Sequence, residues 1–94
     1  MRSRAGKPYS VDLAPAAERQ LRRMPPGDAA RLRAPILALA IEPRPPGCIP
    51  LTDSRFWRVR VGDLRIVYAF DDTARSVVVL LAARRSESTY RRTP

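Results

Sequence analysis

Three apolar-rich stretches in the second half of the chain read as strands, and in the first two hydrophobic and polar residues alternate with a period of two. They run from Phe56 to Val61, from Leu64 to Phe70 and from Ser76 to Ala83. Only Gly62-Asp63 separates the first two, the spacing of a tight hairpin. Asp71-Asp72-Thr73-Ala74 joins the second to the third, so local turns set an antiparallel meander. Upstream the period changes. Tyr9 to Leu13 alternates and is rich in strand formers, which predicts one short strand. The stretch "APAAERQLRRM" then places Ala17, Leu21 and Met24 on one helical stripe and Arg19, Arg22 and Arg23 off it. Pro15 suits the first turn of that helix, and Glu18 lies near the positive end of its dipole.

"PPG", Pro25 to Gly27, predicts a break, with Asp28 as the cap of a second helix. In "AARLRAPILALAIE" the residues Ala29, Leu32, Ile36, Leu39 and Ala40 fall near one face. Pro35 interrupts it, so this helix either kinks there or starts later. Pro43 to Ser54 reads as a loop, and "SESTYRRTP" as a tail or short helix capped by Ser86. There is no internal repeat and no sign of a second domain within residues 1–94. The order β-α-α-β-β-β predicts an α+β domain, a helical hairpin packed on one face of an antiparallel β-sheet.

Strand alternation sorts the side chains of the hairpin. Trp57, Val59 and Val61 share one face with Leu64, Ile66, Tyr68 and Phe70; Arg58, Arg60 and Arg65 share the other. The third strand is apolar on both sides and ends in Arg84-Arg85. One of that pair joins the three arginines, and parity leaves open which. A guanidinium cluster binds phosphate in bidentate fashion. Tyr90 offers a ring on which a base stacks, or a peg in the seam between sheet and helices.

Charge makes the phosphate reading stronger. Lys+Arg is 18 against 9 acids, a net charge of +9, which favours a polyanionic partner. Absences then narrow the chemistry. Without histidine there is no Ser-His-Asp triad and no His-containing zinc site. Cys48 is the only cysteine, so no intrachain disulfide forms and a reducing, cytoplasmic setting fits. It sits in "PRPPGCIP" and reads as structural. No apolar run approaches the roughly 20 residues of a membrane span, and the basic N-terminus lacks the apolar stretch of a signal peptide.

"LTDSRFWRVRVGDLRIVYAF", followed by "VVVLLAARRSESTY", resembles the RelE/ParE toxin superfamily of type II toxin-antitoxin systems, on its RelE side. The resemblance covers Tyr9 to Arg91 and is most specific at "RVRVGDLRIVY". It implies a RelE-like fold and a ribosome-dependent mRNA endonuclease, which cuts codons in the A site by attack of the ribose 2′-hydroxyl and needs no metal or other cofactor. Its alternative is a ParE-type inhibitor of DNA gyrase that is not an enzyme. Position by position, the nuclease set maps onto Arg58, Arg60, Arg65, Arg84 and Tyr90. Arg65, Arg84 and Tyr90 are then the catalytic candidates; Arg58, Arg60 and Arg85 hold substrate, with Arg85 competing for the Arg84 role. Lysines are frequent in RelE-type enzymes where this chain has Arg58 and Arg60, which leaves the general base unassigned. Leu64 stands where an aromatic is common, a change expected to affect packing alone. The implied partners are the ribosome with its mRNA and a RelB-like antitoxin with an acidic C-terminal segment. Operator DNA is reached only through that antitoxin, and no membrane is involved.

Overall fold

A computed structural model of the chain describes residues 8–52 and 54–84. Its elements follow the order β1 (Ser10–Leu13), α1 (Pro15–Arg23), α2 (Pro26–Ala38), β2 (Ile49–Pro50), β3 (Trp57–Val61), β4 (Leu64–Asp71) and β5 (Ser76–Arg84). The strands form one sheet in the order β1-β5-β4-β3-β2. The meander β3-β4-β5 is antiparallel as its turns require. β1 lies parallel to β5, from Ser10 beside Ser76 to Leu13 beside Val79, so the sheet is mixed. The long stretch of chain between them, both helices and then β2 to β4, allows that pairing.

Helix α1 starts where its sequence predicts. Pro15 opens α1, Glu18 lies in its first turn and Arg22 and Arg23 in its last, which suits the helix dipole. In α2 the start is earlier than expected: Pro26 is the first helical residue, with Pro25 before it. Asp28 therefore sits inside the first turn and is not the cap. Pro35 neither breaks nor delays α2, which runs on to Ala38. Leu32 and Ile36 are buried on either side of it, with Leu39 just beyond, and that burial outweighs the roughly 3 kcal/mol of an interior proline.

The core lies between the helices and one face of the sheet. Ala17 of α1 and Leu32, Ile36 and Leu39 of and after α2 meet Val59, Leu64, Ile66, Tyr68, Val77, Val79 and Ala82. Tyr68 is fully buried, and its hydroxyl donates to the Pro43 carbonyl at 2.6 Å. Burial first, then a hydrogen bond with the Cys48 side chain, pushes its phenol above the ordinary range. Cys48 packs against this core. Ile49 and Pro50, inside the expected loop, form a short edge strand beside Arg58 and Trp57; a proline is tolerated at such an edge.

Candidate functional site

The two-residue turn at Gly62-Asp63 sets the register of β3 against β4 on the far face of the sheet. Gly62 has φ +63°, which glycine adopts without steric cost, and the hairpin register follows from it. Arg58 stands across from Val67 and Arg60 across from Arg65. Residues directly opposite share a face, and Val67 and Arg65 lie outside the core cluster. Arg58, Arg60 and Arg65 thus stand together on the side away from the helices, as their alternation predicts. Arg60 is exposed and Arg58 half-buried. Arg65, on the central strand β4 with neighbours on both sides, is only 6% exposed. The Arg58 Nε is buried and donates to no partner among the described residues. Like charges directly across a ladder repel, and Arg60 and Arg65 are such an opposed pair.

Arg84 does not join this face. Val67 pairs with Leu81 while its neighbour Tyr68 pairs with Val79. Leu80 is therefore an extra residue in β5, a bulge that shifts the alternation by one. Val77 and Val79 point to the helices before it; Ala82 and Arg84 do so after it. Ala83 takes the place beside Arg65. Arg85 and Tyr90, the other two candidates from the C-terminal stretch, lie outside the described residues, as does the expected helix capped by Ser86.

On the helix side Arg84 meets two acids, Asp28 and Asp63, that the sequence placed in a cap and a turn and not in a site. One terminal nitrogen donates to Asp63 Oδ2 and the other to Asp28 Oδ2. Arg31 of α2 closes the ring, donating to Asp63 Oδ1 at 3.1 Å and to Asp28 Oδ1 at 3.3 Å. It also reaches the Val61 carbonyl at 3.4 Å. Two guanidiniums and two carboxylates alternate, and each carboxylate gives one oxygen to each arginine. The Arg31 hydrogen bond, then the Asp63 backbone N–H, and the nearby charges of Arg84 and Arg31 hold the Asp63 carboxyl below its usual range. Behind the ring, Gln20, Arg23, Met24, Leu64, Ala82 and Arg84 line a cleft of about 350 Å³.

The opposite end of the sheet carries a second tie. Asp72 accepts from the Tyr9 hydroxyl and from Arg44 at 2.9 Å, and the same two bonds depress its pKa. Arg44 lies 4.7 Å over the Phe70 ring and Arg75 lies 4.8 Å over that of Tyr9. Among the described residues no cluster of three or more His, Cys, Asp or Glu side chains is placed to hold a metal ion. No described helix is long and apolar enough to cross a membrane.

Solved structures share this architecture along most of their length. One is the RelBE2 toxin-antitoxin complex of Mycobacterium tuberculosis: 28% identity, 87% of this chain against 97% of that one, TM-score 0.77. This chain has the RelE-type fold. The RelE–RelB complex of Pyrococcus horikoshii matches at 22% identity over 84% of this chain and 97% of that one, TM-score 0.73. Isolated RelE of Escherichia coli matches at 18% over 89% and 93%, TM-score 0.72. No family model matches the sequence, and no curated protein does either. The RelE-type resemblance carried by "RVRVGDLRIVY" therefore stands on the folded chain as well.

Proposed function

We propose that this protein is the toxin of a type II toxin-antitoxin pair and that it cuts mRNA on the ribosome. The observation that carries the reading is the convergence of Arg58, Arg60 and Arg65 on the face opposite the helices in a RelE-type fold. In the reaction the ribose 2′-hydroxyl gives its proton to solvent as its oxygen bonds to the adjacent phosphorus, the bond to the 5′-oxygen breaks, and that oxygen takes a proton from solvent, leaving a 2′,3′-cyclic phosphate and a 5′-hydroxyl. The phosphate gains negative charge in the transition state, which fixed guanidiniums stabilise. Arg65, the most enclosed of the three, polarises the phosphate; Arg58 and Arg60 hold the flanking backbone. Guanidinium keeps its proton at any physiological pH, so none of the three serves as base. Tyr90 and Arg85 complete the set that the resemblance implies, stacking on a base and binding phosphate.

Several structural neighbours are complexes of RelE with RelB. By the same reading an acidic antitoxin segment neutralises this chain across its basic face, and the pair contacts operator DNA through the antitoxin. Work on the ribosome places the protein in the cytoplasm.

The test is 5′-end mapping of mRNA after brief induction in cells, wild type beside Arg65→Ala. Cuts inside translated codons, lost in the variant, are the expected result. Growth arrest with intact mRNA and an induced DNA-damage response would replace this reading with gyrase poisoning.

A further inference from the structure

The resemblance gives Arg84 to the reaction, yet the geometry sends its side chain to the other face. Its two terminal nitrogens both point into carboxylates, one of Asp28 and one of Asp63. Neither partner is incidental. Asp28 is largely enclosed, with 14% of its side chain exposed, and leaving it unpaired there would be costly. Asp63 is half of the two-residue turn between β3 and β4. Arg60 and Arg65 are the directly opposed pair nearest that turn on the far face.

We infer that Arg84 is a positioning residue: with Arg31 it clamps Asp63 and Asp28, and so fixes the hairpin tip that sets Arg60 against Arg65. The clamp ties three separate parts of the chain, the first turns of α2, the β3–β4 turn and the end of β5. Each Asp oxygen meets a different guanidinium, so the tip is held against rotation as well as against lift. Catalytic groups lose rate steeply when displaced by small distances. A clamp behind the sheet therefore supports phosphate chemistry in front of it without touching RNA. The role rests on the RNA-cleavage reading above.

A double-mutant cycle tests it. The variants are Arg84→Ala, the pair Asp28→Asn/Asp63→Asn, and all three together, each assayed for mRNA cleavage on programmed ribosomes and for thermal unfolding. If Arg84 acts through the two carboxylates, Arg84→Ala lowers the cleavage rate constant roughly tenfold in the wild-type background. Added to the Asp28→Asn/Asp63→Asn pair it lowers the rate less than about twofold, because there is nothing left to clamp. KM stays near the wild-type value throughout, since Arg58 and Arg60 are intact. Arg84→Ala and the Asn pair each lower Tm by roughly 5 °C, and their effects on Tm are likewise non-additive.

The inference is overturned if Arg84→Ala costs the same factor in both backgrounds, the mark of a guanidinium that touches RNA. It is equally overturned if the Asn pair cuts faster than wild type, which would make the carboxylates a restraint on a catalytic Arg84. A wild-type protein that cuts no RNA at all would sink the nuclease reading instead. In that event the unfolding cycle alone decides the clamp, and additive Tm losses would remove it.

Discussion

The two faces of one hairpin carry arginine in opposite settings. Behind the tip, Arg31 and Arg84 meet two aspartates and the charges cancel. In front, Arg58 and Arg60 pair with no carboxylate among the described residues, and Arg60 faces a third arginine across the ladder. The same residue type is thus spent once on joining segments of the fold and once on offering charge outward. A balanced ring is satisfied within the molecule. Arg58 and Arg60, without a carboxylate among the described residues, gain when an external anion arrives. Counting arginines in the sequence merges the two groups, although their responses to mutation, salt and acid differ.

The largest separation should appear in catalysis. Arg65→Ala is expected to lower mRNA cleavage roughly a hundredfold or more, the scale of losing one preorganised charge-stabilising donor. A circular-dichroism spectrum matching wild type would show that the loss is chemical. Residual cleavage near the wild-type rate would dissolve the distinction between the faces.

Salt dependence comes next. Each phosphate neutralised on a single strand contributes about 0.7 to the slope of log K against log salt. Arg58→Ala/Arg60→Ala should therefore flatten the slope for a single-stranded RNA by about 1.4, whereas Arg84→Ala should leave it unchanged. Fluorescence anisotropy across a salt series measures both. An equal flattening in the two variants would mean that the ring is open to RNA.

Acid separates the clusters a third way. Asp63 titrates below its unfolded value of about 3.9, so its contribution to stability is complete above that value and is lost as pH falls through the depressed folded pKa. Asp72 adds to the same acid loss from the other end of the sheet. Urea unfolding followed downward from pH 5 should show stability falling in wild type and falling less steeply in Asp63→Asn.

The smallest effect is expected at Gly62. A Cβ there lies 2.5 Å from an Arg31 terminal nitrogen at a backbone φ of +63°. Gly62→Ala should cost about 1 kcal/mol through the backbone, with Arg31 moving aside. Chemical denaturation gives the value, and a cost several times larger would mean that Arg31 has no room to yield.

Much of this was legible in the letters, and what was not has identifiable causes. The hairpin, its turn and the shared face of Arg58, Arg60 and Arg65 follow from alternation and one Gly-Asp pair, both local. The stripe Leu32, Ile36, Leu39 showed through Pro35. Ile49–Pro50 did not show, because two residues are too few for any periodicity. The parallel pairing of β1 with β5 joins residues at opposite ends of the described chain, and nothing nearby encodes it. Arg31 gave no signal, since its importance depends on where α2 lies against the turn. Asp28 was noticed for the wrong reason: the break at "PPG" placed the helix start three residues late. The side taken by Arg84 was hidden most thoroughly, because "VVVLLAA" is apolar at every position and the bulge leaves no mark in it.

That bulge also matters for aligning sequences. A residue-by-residue alignment assumes that equal spacing means equal direction, and along β5 the extra Leu80 breaks this assumption. A homologous strand of the same letters but one residue shorter would carry its arginine toward the opposite side of the sheet. Relatives of this chain should therefore be compared by counting back from their hairpin turn and forward from their bulge. A deletion of Leu80, silent in charge, would be read by the fold as an exchange of the two sides for every residue of β5 that follows.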